Sequence, residues 1–208
     1  MRKIITVSRE FGSGGRELGK RLAEIFGMNY VDGEIAGAVS EEKSLYETYL
    51  SGKYESGIFG YPPSGAHSFS CIGSVNNSAM MIARQHKIIR EIAARTDCVI
   101  IGRGASAVLN EFKPFRIFVY ADMPSKIARC RSRADGGEDL SDKQIERKIK
   151  SIDGARKKTH ELYAAYGWGD KAGYDLCINT SGADIARVAE ITAEYASEYF
   201  KRNSVQGE

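Results

Sequence analysis

The sequence predicts an α/β protein with a parallel sheet, because short apolar runs alternate with longer segments of helical periodicity. The predicted strands cover residues 3–7, 28–31, 98–101, 115–120 and 174–178. The third run is apolar throughout, as a strand buried on both faces should be. Charged residues follow several of these runs, at the sheet edge where open parallel sheets bind ligands. We therefore expect a doubly wound fold with a five-stranded parallel sheet between layers of helices.

Length and composition indicate one globular domain. The 208 residues suit one domain with a sizeable core, or one domain with a small inserted lid. The 30 basic and 27 acidic residues give a net charge of +3, which is too balanced to indicate nucleic acid as a partner. No apolar run approaches the roughly 20 residues that cross a bilayer, so we expect no membrane partner and a cytoplasmic location.

Cysteines and histidines do not predict a metal site. The four cysteines are widely separated and form no CxxC pair, and the three histidines are dispersed. Cys98 and Cys177 lie in apolar runs, which is typical of buried thiols. A zinc site is therefore not expected.

A glycine-rich turn, residues 8–17 with the sequence SREFGSGGRE, is the stretch around which the chain is organised. It follows the first predicted strand and precedes the amphipathic segment 18–26. Glycines let the backbone turn tightly and approach a ligand, and free N–H groups at a helix start attract anions. A purely structural turn is the alternative to a phosphate site. The predicted phosphate contacts are Gly12, Ser13, Gly14, Gly15, Arg16 and Glu17.

The turn departs from the common phosphate-binding sequences. Its glycines do not form the dinucleotide fingerprint G-x-G-x-x-G. A helix-to-helix alignment with the P-loop G-x-x-x-x-G-K-[ST] places Arg9 at the first glycine, Gly15 at the lysine and Arg16 at the hydroxyl residue. A shift of one residue places Arg16 at the lysine and Glu17 at the hydroxyl residue. In both registers the lysine is absent and Arg16 is the nearest cation, which makes Arg16 a candidate catalytic residue.

Charged residues at the ends of two predicted strands are candidate ligand contacts. Asp32 follows the second strand and Arg103 follows the third. A buried cation is costly without a partner, so Arg103 indicates a phosphate contact. Asp32 suits a ribose, a base or a metal ion.

The segments between the strands predict an insertion and a lid. Residues 33–78 show poor periodicity and include Pro62-Pro63, which predicts a loop or a mobile cap. Two predicted helices rich in Lys and Arg flank a Gly-Gly break at 136–137, and the second helix is expected to run to about residue 166. Phosphoryl transfer needs such cations, although a solvated helix face is the alternative for each arginine.

Two carboxylates and two aromatic residues complete the candidates. We expect Glu10 and Glu17 to pair with the arginines of the turn and to hold it. The alternative is that Glu17 helps to bind Mg²⁺. Tyr166 and Trp168 are expected to cover the end of the long second helix rather than to stack on a base.

Three stretches together resemble the cytidylate kinase-like family, the bacterial relatives of cytidylate kinase: residues 8–17, 99–104 and 166–179. The resemblance covers nearly the whole chain and is weakest at 44–78. It implies a nucleoside monophosphate kinase fold of the three-layer P-loop NTPase class. The implied organisation is a single domain over residues 1–208, with an acceptor-binding insertion at 33–78 and a lid at 130–156.

The resemblance also implies roles for individual residues. Asp32 falls on the aspartate that begins the Asp-Ser-Gly acceptor motif of cytidylate kinase, although the serine is missing here. Arg103 falls on the arginine of a Gly-Arg-Asp motif that contacts the acceptor nucleotide. Arg131 matches a lid-helix arginine near the phosphates. Asp153 and Arg156 resemble a late Asp-x-x-Arg pair at the acceptor and lid.

The expected function is ATP-dependent phosphoryl transfer to a nucleoside monophosphate such as CMP, or to a similar small phosphorylated acceptor. Mg²⁺ is the expected second cofactor of an active enzyme. The missing lysine, and the missing aspartate at the end of the third strand, leave open a catalytically degenerate nucleotide sensor. A kinase of a non-nucleotide metabolite is a further alternative. Arg16, Arg131 and Arg156 are the candidate catalytic residues; Asp32, Arg103 and Asp153 are the candidate acceptor contacts.

Overall fold

The computed structural model describes residues 2–32, 75–102, 104–133 and 140–205. Most of the predicted insertion (33–74), the centre of the predicted lid (134–139) and Arg103 lie outside the described residues. The strands are β1 (Ile4–Arg9), β2 (Asn29–Asp32), β3 (Cys98–Ile101), β4 (Phe115–Tyr120) and β5 (Leu176–Asn179). The helices are α1 (Gly15–Phe26), α2 (Val75–Arg95), α3 (Ala105–Val108), α4 (Met123–Ser132), α5 (Asp142–Glu161) and α6 (Ile185–Val205).

All five strands are parallel, in the order β2-β3-β1-β4-β5. The first strand therefore lies at the centre, with Val7 beside Ile101 of β3 and beside Ile117 of β4. Because the strands are parallel, their carboxyl ends share one edge of the sheet. The turn that follows β1 emerges at the middle of this edge, where open α/β sheets bind ligands.

Helices cover both faces of the sheet and make three layers. On one face, Ile5 and Val7 of β1 pack with Leu18 and Leu22 of α1 and with the small residues of α6. On the other face, Ile4 packs with residues of α2 and α3. Alternate residues of β1 thus serve two cores, which confirms the predicted three-layer α/β class with its five-stranded parallel sheet.

The predicted element boundaries hold to within a few residues, with two informative exceptions. The helix α5 ends at Glu161 rather than near 166, and His160 in its last turn bonds the carbonyl of Tyr166 through Nε2 at 3.1 Å. The short helix α3 after Gly104 is an element that the sequence did not predict.

Helix caps and aromatic contacts fix the ends of α4 and α5. Asp122 Oδ1 caps α4 by accepting from the backbone N–H of Ser125 at 2.8 Å, and Ser141 begins α5 with a capping box. Tyr166 covers the end of α5, with its ring 5.0 Å from that of His160. Trp168 instead packs edge-on against Phe118 of β4 at 5.3 Å. None of the helices that the structure describes is long and apolar enough to cross a bilayer.

Candidate functional site

The turn between β1 and α1 has a backbone shape and a closeness of packing that require glycine. Gly12 and Gly14 adopt φ of 77° and 83°, in the left-handed region. A Cβ on Gly12 would lie 2.9 Å from the carbonyl oxygen of Lys126, and a Cβ on Gly15 would lie 2.5 Å from Cβ of Arg9. The glycines therefore serve the path of the chain and its close approach to neighbouring segments.

The start of α1 presents backbone donors. Gly14 is the N-cap residue, and as a glycine it has no side chain to cap this end. Within the described part of the chain, the N–H groups of Gly14, Gly15 and Glu17 have no hydrogen-bond acceptor. Such donors, at the positive end of the helix dipole, suit an anion such as a phosphate group.

Ser13 is fully buried and is used inside the turn. Its Oγ donates to the carbonyl of Glu10 at 2.9 Å, and its own carbonyl accepts from Thr180 Oγ1 at 2.6 Å. Thr180 follows β5, which is separated from β1 by β4 in the sheet, so this bond connects the turn to the segment after β5. The Ser13 side chain thus shapes the turn.

The predicted phosphate-binding arginine and the predicted acceptor aspartate contact each other. Arg16 Nε lies 2.7 Å from Asp32 Oδ2, and Arg9 Nη2 lies 3.9 Å from Asp32 Oδ1. Tyr30 also donates its hydroxyl to Asp32 Oδ2 at 3.2 Å. Burial, and secondarily the Asp32 carboxylate, raise the pKa of Tyr30, so its hydroxyl stays protonated as a donor. Asp32 is nearly buried at the carboxyl end of β2, between two guanidinium groups.

The predicted pair Asp153 and Arg156 holds the backbone of the turn. Asp153 Oδ1 accepts from the N–H of Phe11 at 2.7 Å. Arg156 donates Nη1 to the carbonyl of Arg9 at 3.2 Å, and its guanidinium lies 5.6 Å from the centre of the Phe11 ring. Burial raises the pKa of Asp153, opposed by the Phe11 N–H and by neighbouring cations. Both residues of α5 therefore reach the site.

Lys126 is a buried cation beside the turn. Its Nζ lies 2.5 Å from Glu10 Oε2 and 3.6 Å from Asp153 Oδ2. Glu10 Oε2 also accepts from the N–H of Ala121 at 3.2 Å. The expected pairing of Glu10 with an arginine of the turn is therefore corrected. Successive residues at the end of a strand project to opposite sides, so Arg9 reaches towards β2 while Glu10 reaches towards α4.

Glu17 also has partners other than the expected one. Its Oε1 lies 3.0 Å from Arg21 Nη2, and its Oε2 accepts from Arg133 Nη2 at 2.7 Å. Residues four apart share a helix face, whereas the adjacent Arg16 points elsewhere, towards Asp32. The Glu17–Arg133 pair joins the end of α4 to the first turn of α1.

The arginines of α4 divide into two groups. Arg131 donates to Asp142 Oδ1 from Nε and Nη2, at 3.0 and 2.7 Å, and thereby ties α4 to the start of α5. Arg129, in contrast, reaches the turn. It donates to the carbonyls of Gly12 at 3.5 Å and of Ala183 at 3.3 Å, and to the carbonyl of Thr180. Arg131 was the sequence candidate, but Arg129 is the arginine of α4 that touches the glycine-rich turn.

Sequence reasoning missed the roles of Arg9, Lys126, Arg129 and Thr180. For Arg9 a signal was present, because a charge at the end of a buried strand is unusual and that end lines the ligand edge. For the other three no local pattern distinguished them from residues on a solvated face or in a loop. Their contacts with the turn join residues more than 100 positions apart in the chain.

The residues around the turn fit phosphate better than they fit a protein-bound magnesium ion. Magnesium takes six oxygen ligands, usually a few carboxylates with water and substrate phosphates. In the part of the chain that the structure describes, four carboxylates at the turn each lie within ion-pair distance of a cation: Glu10, Glu17, Asp32 and Asp153. In the described ranges, no three His, Cys, Asp or Glu side chains are placed to hold a metal ion.

Comparisons with known proteins agree with this architecture. The sequence model of the cytidylate kinase-like family matches residues 4–182. A solved structure of an uncharacterized protein from Eubacterium ventriosum ATCC 27560 is 24% identical, with a TM-score of 0.70, over 94% of this chain and 99% of that chain. No curated protein matches the sequence significantly.

Two kinases of known name share the fold. Shikimate kinase from Acinetobacter baumannii, solved in complex with shikimate, is 14% identical with a TM-score of 0.53, over 96% of this chain and 95% of that chain. A gluconokinase from Sinorhizobium meliloti 1021 is 12% identical with a TM-score of 0.54, over 100% of this chain and 98% of that chain. At these identities the likeness shows the fold alone, which is that of P-loop kinases. The family match, which spans most of the sequence, shows that the chain belongs to the cytidylate kinase-like family.

Proposed function

We propose that the protein transfers a phosphoryl group from ATP to a nucleoside monophosphate such as CMP, or to a similar small phosphorylated acceptor. The turn between β1 and α1 carries the proposal. Its left-handed glycines present the uncapped first turn of α1 at the middle of the sheet's carboxyl edge. Membership of a kinase-like family supports phosphoryl transfer as the class of reaction.

The donor phosphates would lie on the turn. The backbone N–H groups of Gly14, Gly15 and Glu17 would cradle them, and the guanidinium of Arg16 would neutralise their charge. Phosphoryl transfer requires little covalent chemistry from the protein, so the mechanism is positioning and electrostatic stabilisation without a covalent intermediate. Each donor would act on charge that spreads over the transferred group.

The acceptor would bind at the ends of β2 and β3, through Asp32 and Arg103. Asp153 would contact it from the side of the turn on which α5 lies. The 2.7 Å contact between Arg16 and Asp32 supports this arrangement, because a donor at Arg16 and an acceptor at Asp32 would be one ion pair apart. An acceptor that bonds Asp32 would therefore lie within reach of a phosphate held at Arg16. Transfer requires such proximity of the reacting atoms.

The basic helices α4 and α5 would close over the transferred group. Arg156 already bonds the turn, and Arg131 ties the two helices together through Asp142. In this arrangement Arg156 would exchange its bond to the Arg9 carbonyl for phosphate oxygens, while Arg131 would hold the two helices in one orientation. Excluding water from the closed site would strengthen these electrostatic contacts.

A coupled assay of ADP release tests the proposal, with ATP, Mg²⁺ and a panel of CMP, dCMP, UMP, AMP and GMP. Arg16→Ala should lower kcat/KM by about 100-fold or more, the size of losing one charged transition-state contact. Arg187→Ala is the matched control, because Arg187 is an exposed arginine that pairs with Glu190 on α6. Turnover that does not exceed the Arg16→Ala background with any monophosphate would contradict the proposal.

Two alternatives have support of their own. The fold neighbours named as shikimate kinase and gluconokinase favour a non-nucleotide metabolite as acceptor, so shikimate and gluconate belong in the panel. The second alternative is a nucleotide sensor without turnover. It is favoured by Gly15, which stands at the lysine position when the P-loop is aligned on the observed start of α1. Calorimetry that finds ATP binding together with no transfer to any acceptor would select the sensor.

A further inference from the structure

We propose that Arg9 takes the place of the missing P-loop lysine and that, together with Arg16, it lets the turn bind nucleotide phosphates without a divalent metal. The inference rests on the proposed nucleotide site at this turn. It assigns a role to a residue outside the predicted site, and it names the charge that neutralises the phosphates.

The first step concerns space. Because α1 begins at Gly15, Gly15 corresponds to the lysine of the P-loop. A Cβ at this position would lie 2.5 Å from Cβ of Arg9, 3.1 Å from Cγ of Arg9 and 3.2 Å from Cβ of Val119. A lysine here and an arginine at position 9 therefore exclude each other. At these two positions the P-loop has a glycine and then a lysine, whereas this chain has Arg9 at the glycine position and Gly15 at the lysine position.

The second step concerns where the charge of Arg9 lies. The side chain leaves the end of β1 and reaches the end of β3, where its Nη1 occupies the space that a Cβ on Gly102 would need. Its Nη2 lies 3.9 Å from Asp32 Oδ1 at the end of β2. The side chain is only 14% exposed, so its permanent charge acts through a medium of low dielectric constant. A cation thus stands at the ligand edge, beside the start of α1.

The third step concerns the metal. In a P-loop the residue after the lysine is a hydroxyl residue that binds Mg²⁺, and here that residue is Arg16. Among the described residues, the Asp32 carboxylate has Arg16 on one oxygen at 2.7 Å and Arg9 near the other at 3.9 Å. A divalent ion at Asp32 would meet two fixed positive charges and would have to displace the Arg16 contact. Phosphate oxygens, in contrast, match guanidinium donors in geometry and in charge.

Calorimetry on the full chain tests the inference, with ATP and inorganic tripolyphosphate as probes, in EDTA and in excess Mg²⁺. The wild-type Kd for each probe should agree between the two conditions within about threefold. Arg9→Met should weaken binding in EDTA by about 10- to 100-fold, the loss expected for a charged hydrogen-bonding partner. Arg9→Lys keeps the charge and should recover part of that loss. Arg187→Met should bind as the wild type does.

Two measurements separate a role in binding from a role in folding. Circular dichroism and Tm report whether each variant folds, and a purely structural Arg9 would change Tm without changing the ratio of Kd in EDTA to Kd in Mg²⁺. If Arg9→Met does not fold, the wild-type ratio and Arg9→Lys decide. The inference is overturned if Mg²⁺ tightens binding more than tenfold, if folded Arg9→Met binds as the wild type does, or if neither probe binds.

The result also distinguishes this inference from the proposed function. Binding in EDTA without transfer to any acceptor would leave the inference standing and would remove the proposed reaction. Transfer to a monophosphate together with binding that requires Mg²⁺ would do the reverse.

Discussion

Asp153 on α5 accepts a 2.7 Å hydrogen bond from the backbone N–H of Phe11 in the glycine-rich turn. The two residues are 142 positions apart in the chain. A helix that lies largely within the predicted lid, residues 130–156, therefore holds the loop that would bind the donor phosphates. Motion of α5 would be transmitted to the turn through this bond and through the bond from Arg156 to the Arg9 carbonyl.

The first prediction separates the hydrogen bond of Asp153 from its charge. Asp153→Asn keeps an oxygen acceptor for Phe11, whereas Asp153→Ala leaves a half-buried N–H without its partner. We expect Asp153→Ala to lower the free energy of unfolding by about 1–3 kcal/mol and Asp153→Asn to lower it less. Urea titration of the three proteins at neutral pH measures the difference. Equal losses in the two variants would contradict a role for the bond.

The second prediction follows from the raised pKa of Asp153. The folded protein holds this proton more tightly than the unfolded chain, whose value is 3.8. The stabilising contribution is therefore complete below pH 3.8 and is lost as the pH rises through the folded pKa. The free energy of unfolding of the wild type, relative to Asp153→Asn, should fall as the pH rises over this range. Urea unfolding midpoints of the two proteins, measured from pH 3.8 upwards, give this difference. If the midpoints of both proteins change with pH in the same way, the raised pKa of Asp153 is contradicted.

The third prediction concerns the buried cation Lys126. Lys126→Met would leave the carboxylates of Glu10 and Asp153 without a shared partner, so we expect a loss of about 3 kcal/mol in the free energy of unfolding. Lys126→Met combined with Glu10→Gln should recover part of this loss, because it removes one uncompensated charge. Lys201→Met is the control, since its pair with Glu198 is exposed and should be worth well under about 1 kcal/mol. Thermal or urea unfolding of all four proteins gives the comparison.

The fourth prediction contrasts two glycines at helical positions. Gly15→Ala would place Cβ 2.5 Å from Cβ of Arg9, so it should cost about 1–3 kcal/mol and weaken phosphate binding. Gly154→Ala in α5 meets nothing within 4 Å and should stabilise the protein by about 1 kcal/mol, because alanine favours a helix more than glycine does. Tm and ATP calorimetry test both variants. A neutral Gly15→Ala would refute the close approach of Arg9.

The fifth prediction concerns His160, which is buried at the end of α5 and bonds the Tyr166 carbonyl. Burial lowers its pKa below the ordinary 6.5, so the folded protein binds this proton less than the unfolded chain does. The free energy of unfolding should therefore decrease as the pH falls from 6.5 through the lower, folded pKa. His160→Gln should remove this component of the pH dependence. Urea midpoints between neutral and mildly acidic pH measure it, and an unchanged slope in the variant would contradict it.

Much of the fold could be predicted because its signals are local. Apolar runs, glycine breaks and caps depend on neighbouring residues, so the five strands and the start of α4 follow from short stretches of sequence. The short helix α3 could not be predicted in this way. It begins after two left-handed glycines, and one of them, Gly104, faces the ring of Tyr163, which follows the end of α5. That packing arises only when distant segments meet.

The candidate site was predicted in part. The turn itself was predicted from its glycines, and Asp32, Asp153 and Arg156 do lie beside it. The partners of the charged residues were not predictable. Glu17 pairs with Arg21 and Glu10 pairs with Lys126, and neither pairs with Arg16, because the packing of the helices decides which side chains face each other. Arg103 and residues 33–74 lie outside the described ranges, and their roles stay predictions.

By itself the sequence determined the α/β class, the place of the glycine-rich turn after the first strand, and the absence of a P-loop lysine. Only the tertiary structure decided which cation lies against the residue at the lysine position. Arg9 and Gly15 are six positions apart in the chain. Their contact depends on α1 folding back over the end of β1, which brings Cβ of Arg9 into the space that a side chain at position 15 would need. The sequence shows which residues are charged, but the packing of the elements sets the distances between them and therefore their partners.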